Sequence, residues 1–318
     1  MRIVASLGGS ALLKPGDAPS PANLQHAVDA AARVFAAELM AGHHLIITHG
    51  SAAPLRLLGL EALNGPPASF CAVDVRQAQS QGWIGYELEM ALRNALPEGA
   101  IIVSLITQTL VDVHDHAYRT HLVPVGPVYD KETAEQLAKA NCWEIGPASA
   151  GWCRLVPQPP PQDIVEINAI KRLANTGVTV ICGGGGGVPV RRDEDGNLRG
   201  VEAVVDKDAA SALLAECVDA DFFVMLTDIG GIYVNFGEPD ERLIANAGVN
   251  ALKAHLLDFP ESGMRQKAKA AIEFVRRTGR PAAIGRLADL PEILAGRRGT
   301  LVSPDGGRLS FHDSELVA

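Results

Sequence analysis

Two lysines and two glycine-rich turns are the residues of this chain best suited to chemistry. Lys207 lies in the acidic-flanked run 204–210, and Lys267 lies farther along the chain. The glycine turns are Gly8-Gly9 and residues 183–187. Two ammonium groups, an aspartate and exposed backbone N–H groups can neutralise a phosphoryl group during its transfer, a reaction that depends mainly on positioning and charge stabilisation. These residue types predict a phosphoryl-transfer site.

Both glycine turns follow short apolar runs that read as buried strands, at residues 3–7 and 178–182. The backbone N–H groups of Gly8-Gly9-Ser10 can therefore face an anion at the carboxyl edge of a sheet, although a simple tight turn also fits. The run 183–187 does not continue as G-x-G-x-x-G, because Val188 follows it, and the chain contains no G-x-x-x-x-G-K-[ST]. We therefore do not expect a Rossmann or P-loop protein, and we favour close approach of a ligand to the glycines over a mere linker.

Lys207 and Asp228 lie where catalytic groups of open sheets collect. Lys207 is at the start of a predicted helix, 206–217, where a helix N-terminus and an ammonium group together make an anion site. A solvated lysine paired with its acidic neighbours is the alternative. Asp228 follows a predicted strand, 221–226, and either orients the lysines, holds magnesium through water or only forms a turn.

The histidines of this chain do not predict a metal centre. His114, His116 and His121 lie with Asp112 in a polar segment, where histidines two residues apart are more often solvated than metal-bound. His49 follows a predicted strand and is either a site residue or a hydrogen-bonded core histidine.

The wider pattern alternates short apolar runs with longer amphipathic ones, which indicates an α/β fold with a mainly parallel sheet. Residues 113–161 interrupt this pattern and predict an excursion from the sheet that acts as a lid. The tail 305–318 is polar and is expected to be loosely held. The other predicted elements are helices at about 21–40, 77–96, 164–175 and 265–278, and strands at 45–48, 100–107 and 281–284.

Composition limits the classes of function. The chain has 318 residues, 47% of them hydrophobic and 20% charged, with a formal charge of −9. That charge argues against a general nucleic-acid or anionic-membrane binder, which needs a positive face. The five cysteines form no C-x-x-C pair, and neither a signal segment nor an apolar run of membrane-spanning length is found. We therefore expect a cytoplasmic protein that acts on a small molecule.

Ordered segments along residues 1–304 resemble carbamate kinase, a branch of the amino acid kinase family. The segments that carry the resemblance are 80–86 (SQGWIGY), 124–129 (PVGPVY), 151–157 with its Gly-Trp pair, 163–166 (DIVE), 183–190, 200–208 (GVEAVVDKD) and 226–228 (LTD).

The resemblance implies a three-layer αβα sandwich, with one domain over 1–304 that includes a protruding subdomain near 113–161, and a homodimer. It also implies phosphoryl transfer between MgATP and carbamate, run mostly toward ATP from ADP and carbamoyl phosphate. Lys207 and Lys267 match lysines that contact the transferring phosphate. The resemblance places on the phosphate and nucleotide side Gly8, Gly9, Asp208, Thr227, Asp228, Tyr233 and Met264. It places on the acceptor side Ser10, Gly50, Ser51, Gly183, Gly184 and Val123.

Four positions depart from the family pattern, and three of them touch the acceptor side. Ser10 and Ser51 stand where carbamate kinases carry asparagine, Val123 stands where they carry a lysine that reaches carbamate, and Arg265-Gln266 replaces Gly-Pro before Lys267. Losing a charge-assisted hydrogen bond costs roughly 1.5–3 kcal/mol, on the order of tenfold to a hundredfold in affinity. The side chains that can restore positive charge from another direction are Arg119, His121, Arg56 and Arg265.

Three functions remain open from the sequence. The first is a carbamate kinase-like enzyme in which Lys207 and Lys267 neutralise the phosphoryl oxygens and Asp228 holds the lysines in register. The second is a relative that acts on a different small acceptor, because the acceptor-side residues differ. The third is a nucleotide-binding sensor without catalysis, which the presence of both lysines disfavours.

Overall fold

The computed structural model describes residues 1–13, 20–64, 72–148, 150–259, 263–304 and 307–313. The strands are β1 (Arg2–Leu7), β2 (His44–His49), β3 (Ile102–Ser104), β4 (Gln108–Leu110), β5 (Leu122–Tyr129), β6 (Glu144–Ala148), β7 (Gly151–Pro157), β8 (Asp163–Ile164), β9 (Thr179–Ile181), β10 (Val188–Arg192), β11 (Leu198–Gly200), β12 (Phe222–Thr227), β13 (Tyr233–Val234), β14 (Arg242–Gly248), β15 (Ala282–Arg286), β16 (Thr300–Ser303) and β17 (Ser310–Phe311). The helices are α1 (Gly9–Leu12), α2 (Pro21–Met40), α3 (Ala52–Asn64), α4 (Val73–Ala95), α5 (His116–Thr120), α6 (Lys131–Asn141), α7 (Ile167–Asn175), α8 (Lys207–Cys217), α9 (Val249–Ala254), α10 (Met264–Thr278) and α11 (Leu290–Leu294).

The central sheet has the strand order β13-β14-β16-β15-β12-β1-β2-β9-β3, with β17 paired to β14. The strands β12, β1, β2, β9 and β3 pair in parallel, as do β12 with β15 and β14 with β16. The β15–β16, β13–β14 and β14–β17 pairs are antiparallel. The sheet is therefore mainly parallel, as the alternating pattern predicts.

Alternate residues of the central strands enter two separate cores, because side chains of a strand point to opposite faces. In β1, Val4 packs in one core, with α7, α8, α9 and α10. Ile3, Ala5 and Leu7 pack in the other, with α2, α4 and α11. The strands are apolar on both faces, as expected for a sheet covered by helices on each side. The predicted three-layer αβα fold is confirmed.

The helix starts that matter most here follow from local sequence. Asp206 caps α8, accepting a hydrogen bond from the amide of Ala209 at 2.8 Å. Gly263, at φ 75° and ψ −88°, precedes α10 in a conformation that favours glycine. These starts put Lys207 and Lys267 each in the first turn of a helix on the same face of the sheet.

Two small sheets lie beside the central one, with orders β5-β7-β6 and β11-β10-β4-β8. The first falls within residues 113–161, which we call the lid after the role predicted from sequence. The predicted strand 100–107 is wrong in part, because the chain leaves the central sheet after Ser104 and re-enters structure as β4 in another sheet. Gln81 fixes this break, since its amide donates to the carbonyl of Thr107 and accepts from its N–H, both at 3.0 Å.

The tail is less loose than its polar sequence suggests, where it is described. Ser310–Phe311 pairs with β14, and the ring of His312 bonds the carbonyl oxygen of Gly299 at 2.7 Å. The helix predicted from residue 164 begins instead at Ile167, because Asp163–Ile164 pairs with β4. None of the described helices has the length and apolarity needed to cross a membrane.

Candidate active site

The predicted site segments meet at one edge of the central sheet, because β1, β2, β9 and β12 run parallel and end there. The ends pack closely. A Cβ on Gly50 would lie 2.8 Å from the backbone of Gly9, and a Cβ on Gly8 would lie 2.6 Å from the carbonyl oxygen of Leu226. These two glycines are therefore required by close backbone approach, and the structure brings Gly8, Gly9 and Gly50 together.

Lys207 and Lys267, far apart in the chain, converge on a single carboxylate. The Nζ of Lys207 lies 2.6 Å from Oδ1 of Asp208, and the Nζ of Lys267 lies 2.7 Å from Oδ2. Asp208 is 4% exposed, and both lysine side chains are largely buried. Each ammonium group keeps donors for another partner, because it carries three N–H groups.

The residue that orients the lysines is Asp208 and not Asp228, which corrects the expectation from sequence. Asp228 instead accepts a hydrogen bond from the Thr227 hydroxyl at 2.9 Å, and the Thr227 hydroxyl lies 3.2 Å from that of Ser10. Asp228 acts on Lys267 only as a nearby charge. The positions of the two aspartates explain the difference. Asp208 is in the first turn of α8 beside Lys207, whereas Asp228 follows the end of β12.

Burial and mutual attraction shift the pKa of each member of this cluster. Burial disfavours the ionised form of Asp208, but attraction to Lys207 and Lys267 outweighs it and lowers the pKa of the carboxyl. Burial lowers the pKa of Lys207, an effect that attraction to Asp208 only partly offsets. Burial also acts on Lys267, but Asp208 more than compensates, so the pKa of Lys267 is raised. Asp206 has a raised pKa through burial and repulsion by Asp208.

Ser6 belongs to the lysine cluster and was not singled out from sequence. Its hydroxyl lies 2.5 Å from the Nζ of Lys207 and 3.2 Å from Oδ1 of Asp208. The available signal was a polar residue within an apolar strand, placed on the β1 face that packs against α8. Thr48 repeats the pattern on β2, where its hydroxyl lies 2.7 Å from that of Ser211 in α8.

His49 is a buried neutral imidazole between the lysine cluster and the glycine-rich run. Burial lowers its pKa to about 4, against a smaller opposing effect of the bond from Nδ1 to the carbonyl oxygen of Gly50 at 3.1 Å. Lys207 is close enough to lower this pKa further. A Cβ on Gly184 would lie 2.3 Å from Cε1 of His49, so the ring packs directly on this glycine.

Residues 183–187 form a tight turn after β9. We call them the acceptor loop, after the role that the resemblance implies for Gly183 and Gly184. Gly183 and Gly185 are left-handed, with φ of 61° and 63°, and Gly184 between them is not. Successive residues of opposite hand turn their N–H groups to one side and make an anion-binding concavity. Among the described residues, the amides of Gly184 and Gly185 donate no hydrogen bond. The loop therefore retains two donors for a ligand.

The other residues predicted on the acceptor side do not all lie beside the acceptor loop. Ser51 is buried beside the acceptor loop, with its Oγ 3.2 Å from the side-chain nitrogen of Gln77. Val123 is half-buried in the lid strand β5, opposite Val156 of β7. Ser10 lies apart from Ser51, next to Thr227 on the nucleotide side.

A cavity of about 590 Å³ opens beside Lys267. Its walls include four of the residues predicted on the nucleotide side, namely Thr227, Asp228, Tyr233 and Met264, but not Gly8 or Gly9. Ser10, Phe236 and Phe259 also line it. The rings of Tyr233 and Phe236 pack edge to face with centroids 5.4 Å apart. A concave, largely apolar site with a few polar groups suits a nucleotide base and its phosphates, and we call it the nucleotide cavity after this expected occupant. Phe236 was not identified from sequence.

The candidates for restoring charge near Val123 are mostly engaged elsewhere or exposed. Arg265 donates to the carbonyl oxygens of Phe259 and Leu257, and so braces the wall of the nucleotide cavity. The ring of His121 bonds Gln158 at 3.1 Å. Arg56 and Arg119 are exposed.

Arg76 was not singled out from sequence, but the structure places it next to the lid. It lines a small pocket of about 20 Å³ together with Tyr129 and Arg154 of the lid strands. Its guanidinium acts on the pKa of Tyr129, which burial raises and nearby arginines lower. Arg76 of α4 therefore lies against the lid strands.

Comparison with known proteins gives one consistent result. A sequence profile described as the amino acid kinase family matches residues 1–286. The carbamate kinase of Haemophilus influenzae is 39% identical over 312 residues, covering 98% of this chain and 100% of that protein. The carbamate kinase of Pyrococcus horikoshii is 40% identical over 314 residues, covering 95% and 99%.

A solved structure agrees in fold as well as sequence. Carbamate kinase from Giardia lamblia, bound to AMP-PNP, superposes with a TM-score of 0.86 at 33% identity, covering 95% of this chain and 98% of that one.

Proposed function

The chain belongs to the amino acid kinase family, and from this premise we propose that it is a carbamate kinase-like phosphotransferase. It transfers a phosphoryl group reversibly between ATP and a carboxylate-type oxygen, carbamate in the first instance. Its full-length similarity to carbamate kinases supports this assignment. The observation that carries the mechanism is the convergence of Lys207 and Lys267 on Asp208, at the junction of the nucleotide cavity and the acceptor loop.

The chemistry follows from the position of the charges. In the direction of ATP synthesis, the bond between phosphorus and the carbamate oxygen breaks, and a bond forms to the terminal phosphate oxygen of ADP. Negative charge is spread over the three equatorial oxygens of the phosphoryl group in flight. Asp208 holds both ammonium groups in place beforehand, so that their remaining N–H groups stabilise this charge without reorganisation.

The nucleotide is expected in the cavity beside Lys267. Tyr233, Phe236 and Met264 offer apolar surface for a base, and Lys267 lies at the end where phosphates would meet the sheet edge. The Giardia lamblia relative was solved with AMP-PNP, an ATP analogue, which supports ATP and ADP as substrates here.

The site offers the small set of protein ligands that Mg²⁺ needs. Mg²⁺ usually keeps several waters and binds through one or two carboxylates plus substrate phosphates. Asp228 offers a carboxylate at the mouth of the nucleotide cavity, with a lowered pKa that keeps it ionised; burial opposes this and bonds from Ser10 and Thr227 outweigh it. No group of three or more His, Cys, Asp or Glu side chains forms a metal cluster in the described part of the chain, and none is needed. When bound, Mg²⁺ would neutralise charge on the nucleotide phosphates.

The acceptor side supports a second candidate, a kinase for a different small acceptor. Val123 brings no charge to the lid strand where the resemblance expects a lysine, and Ser51 replaces an asparagine beside the acceptor loop. A coupled assay for ATP formation from ADP, run with carbamoyl phosphate and a panel of other acyl phosphates, separates the two candidates. Carbamoyl phosphate is expected to give the highest kcat/KM; nucleotide binding with no turnover on any acyl phosphate would instead make the protein a sensor.

We also propose an oligomeric state, a cellular location and a role for the lid. A homodimer is supported by exposed apolar side chains on α4 and just before β3, where Tyr86 is 63%, Met90 38% and Ile101 63% exposed. A reducing, cytoplasmic setting is supported by four free thiols among the described cysteines. The lid, carried on its own small sheet, is proposed to cover the acceptor. Light scattering of the purified chain at several concentrations tests the dimer, with a monomer at all concentrations as the contrary result.

A further inference from the structure

Gln77 is a buried polar residue whose side-chain hydrogen bonds, within the described part of the chain, all go to Ser51 and the acceptor loop. It is 0% exposed and belongs to α4, on the helix face that meets the acceptor loop. Its side-chain nitrogen lies 2.8 Å from the carbonyl oxygen of Gly185, 3.3 Å from that of Gly184 and 3.2 Å from Oγ of Ser51. The orientation of the amide is therefore set, because the reverse orientation would place its oxygen against two carbonyl oxygens.

These bonds fix the direction of the loop peptides. Thr109 donates to the carbonyl oxygen of Gly186 at 2.7 Å, and Thr107 accepts from the N–H of Gly183 at 2.9 Å. With Gln77, side chains outside the loop therefore hold the carbonyl groups of Gly184, Gly185 and Gly186. The unengaged N–H groups of Gly184 and Gly185 are left for the concave side.

Gln77 also sets the role of the Ser51 hydroxyl. An oxygen that accepts a hydrogen bond from an amide still has its own proton to donate. Ser51 can therefore present an O–H donor to an acceptor oxygen beside the loop. Neutral donors would thus serve a region where the resemblance expects a lysine and the chain has Val123.

Gln77 is tightly fitted and its own oxygen is unsatisfied. A Cβ on Gly185 would lie 1.8 Å from the Gln77 nitrogen, so the amide leaves no room for a side chain in the loop. Its Oε1 is buried and has no hydrogen-bond partner within the described residues. A buried oxygen without a partner is costly and calls for an explanation.

We propose that Gln77 is the positioning residue of the acceptor site: its amide holds the acceptor loop and Ser51 so that their N–H and O–H donors face the oxygen that gives or receives the phosphoryl group. The role rests on the phosphotransferase function proposed above. Gln77 acts through the loop and through Ser51, and it takes no part in nucleotide binding.

The test is the kinetics of Gln77→Leu, in the direction of ATP synthesis. The KM for carbamoyl phosphate is expected to rise about tenfold, the effect of a lost net hydrogen bond, whereas the KM for ADP changes less than about twofold. The matched control is Gln79→Leu, an exposed glutamine on the same helix, which should leave both KM values unchanged.

A second variant, Gln77→Glu, distinguishes positioning from simple packing. An ionised carboxylate would repel the two loop carbonyl oxygens, while a protonated carboxyl group can donate to one of them again. The KM for carbamoyl phosphate in this variant is therefore expected to fall as the pH is lowered from 8 to 6, relative to the wild type. A packing role would give no such recovery.

The outcomes separate this inference from the function on which it rests. A wild-type protein without activity on any acyl phosphate contradicts the proposed function. An active wild type with an unchanged carbamoyl phosphate KM in Gln77→Leu overturns the positioning role. So does a Gln77→Leu variant that loses AMP-PNP binding together with its activity, because the residue would then support the whole fold.

Discussion

The two sides of the candidate active site rely on different interactions. On the lysine side, two ammonium groups and one carboxylate lie buried and bonded to each other between α8 and α10. On the predicted acceptor side, a glycine turn and a serine, both bonded to a glutamine, offer uncharged hydrogen-bond donors, and the lid strand β5 carries Val123 where the resemblance expects a lysine. The phosphoryl group carries more negative charge during its transfer than the acceptor does. Fixed positive charges are therefore most useful along its path. A small acceptor needs mainly orientation.

Replacing either lysine by alanine removes one positive charge from the lysine side, and this is the largest effect that we expect. Lys207→Ala and Lys267→Ala are each predicted to lower kcat by about 10³-fold, the scale of a lost transition-state donor in a preorganised site. Steady-state kinetics with ADP and carbamoyl phosphate measure this, and nucleotide binding should weaken much less. Turnover close to wild type in one variant would remove that lysine from the mechanism.

The Asp208→Asn variant tests whether a single carboxylate holds both lysine side chains in place. Asp208→Asn leaves two buried ammonium groups with no opposite charge between them, and is expected to cost about 3 kcal/mol in the free energy of unfolding. Urea denaturation at pH 7 measures it.

Asp206→Asn is the matched control on the other side of Lys207. Asparagine also caps a helix, and Asp206 forms neither lysine hydrogen bond, so the expected cost is below about 1 kcal/mol. Equal losses in the two variants would contradict the assignment of Asp208 as the shared partner.

His49 gives a prediction about pH at the boundary between the two sides. Its pKa is about 4 in the folded protein and near 6.5 when unfolded. Between these values the unfolded chain binds a proton that the folded chain does not, so stability is lost as the pH falls below 6.5. From pH 6.5 to 5 the loss from this residue is about 2 kcal/mol. Urea denaturation of wild type and His49→Gln across this window should show a shallower slope in the variant, and parallel slopes would place the histidine in water.

Adding a positive charge to the acceptor side is expected to have the smallest effect. It would make the acceptor side more like the lysine side. Val123→Lys is expected to lower the KM for carbamoyl phosphate about tenfold, the lower end of what a charge-assisted hydrogen bond contributes. The measurement is the KM for carbamoyl phosphate, with the KM for ADP as the internal control. No gain would mean that the neutral donors have replaced the lysine completely.

Sequence alone determined the layered fold and predicted most of the residues of the candidate site. Alternating apolar runs predicted β1, α2, β9 and α8 within a few residues, since burial on both faces of a parallel sheet leaves a local pattern. The family motifs identified Lys207, Lys267 and the glycine turns, because the types of residue that move a phosphate are few.

Only the tertiary structure decided which partners meet. The bond of Lys267 to Asp208, the place of Ser6 in the lysine cluster and the contacts of Gln77 with Gly184 and Gly185 all join residues distant in sequence. Hydrogen bonds of this kind depend on strand register and helix rotation to within an ångström. Those quantities are set by the packing of the whole domain, and no local stretch of the chain encodes them.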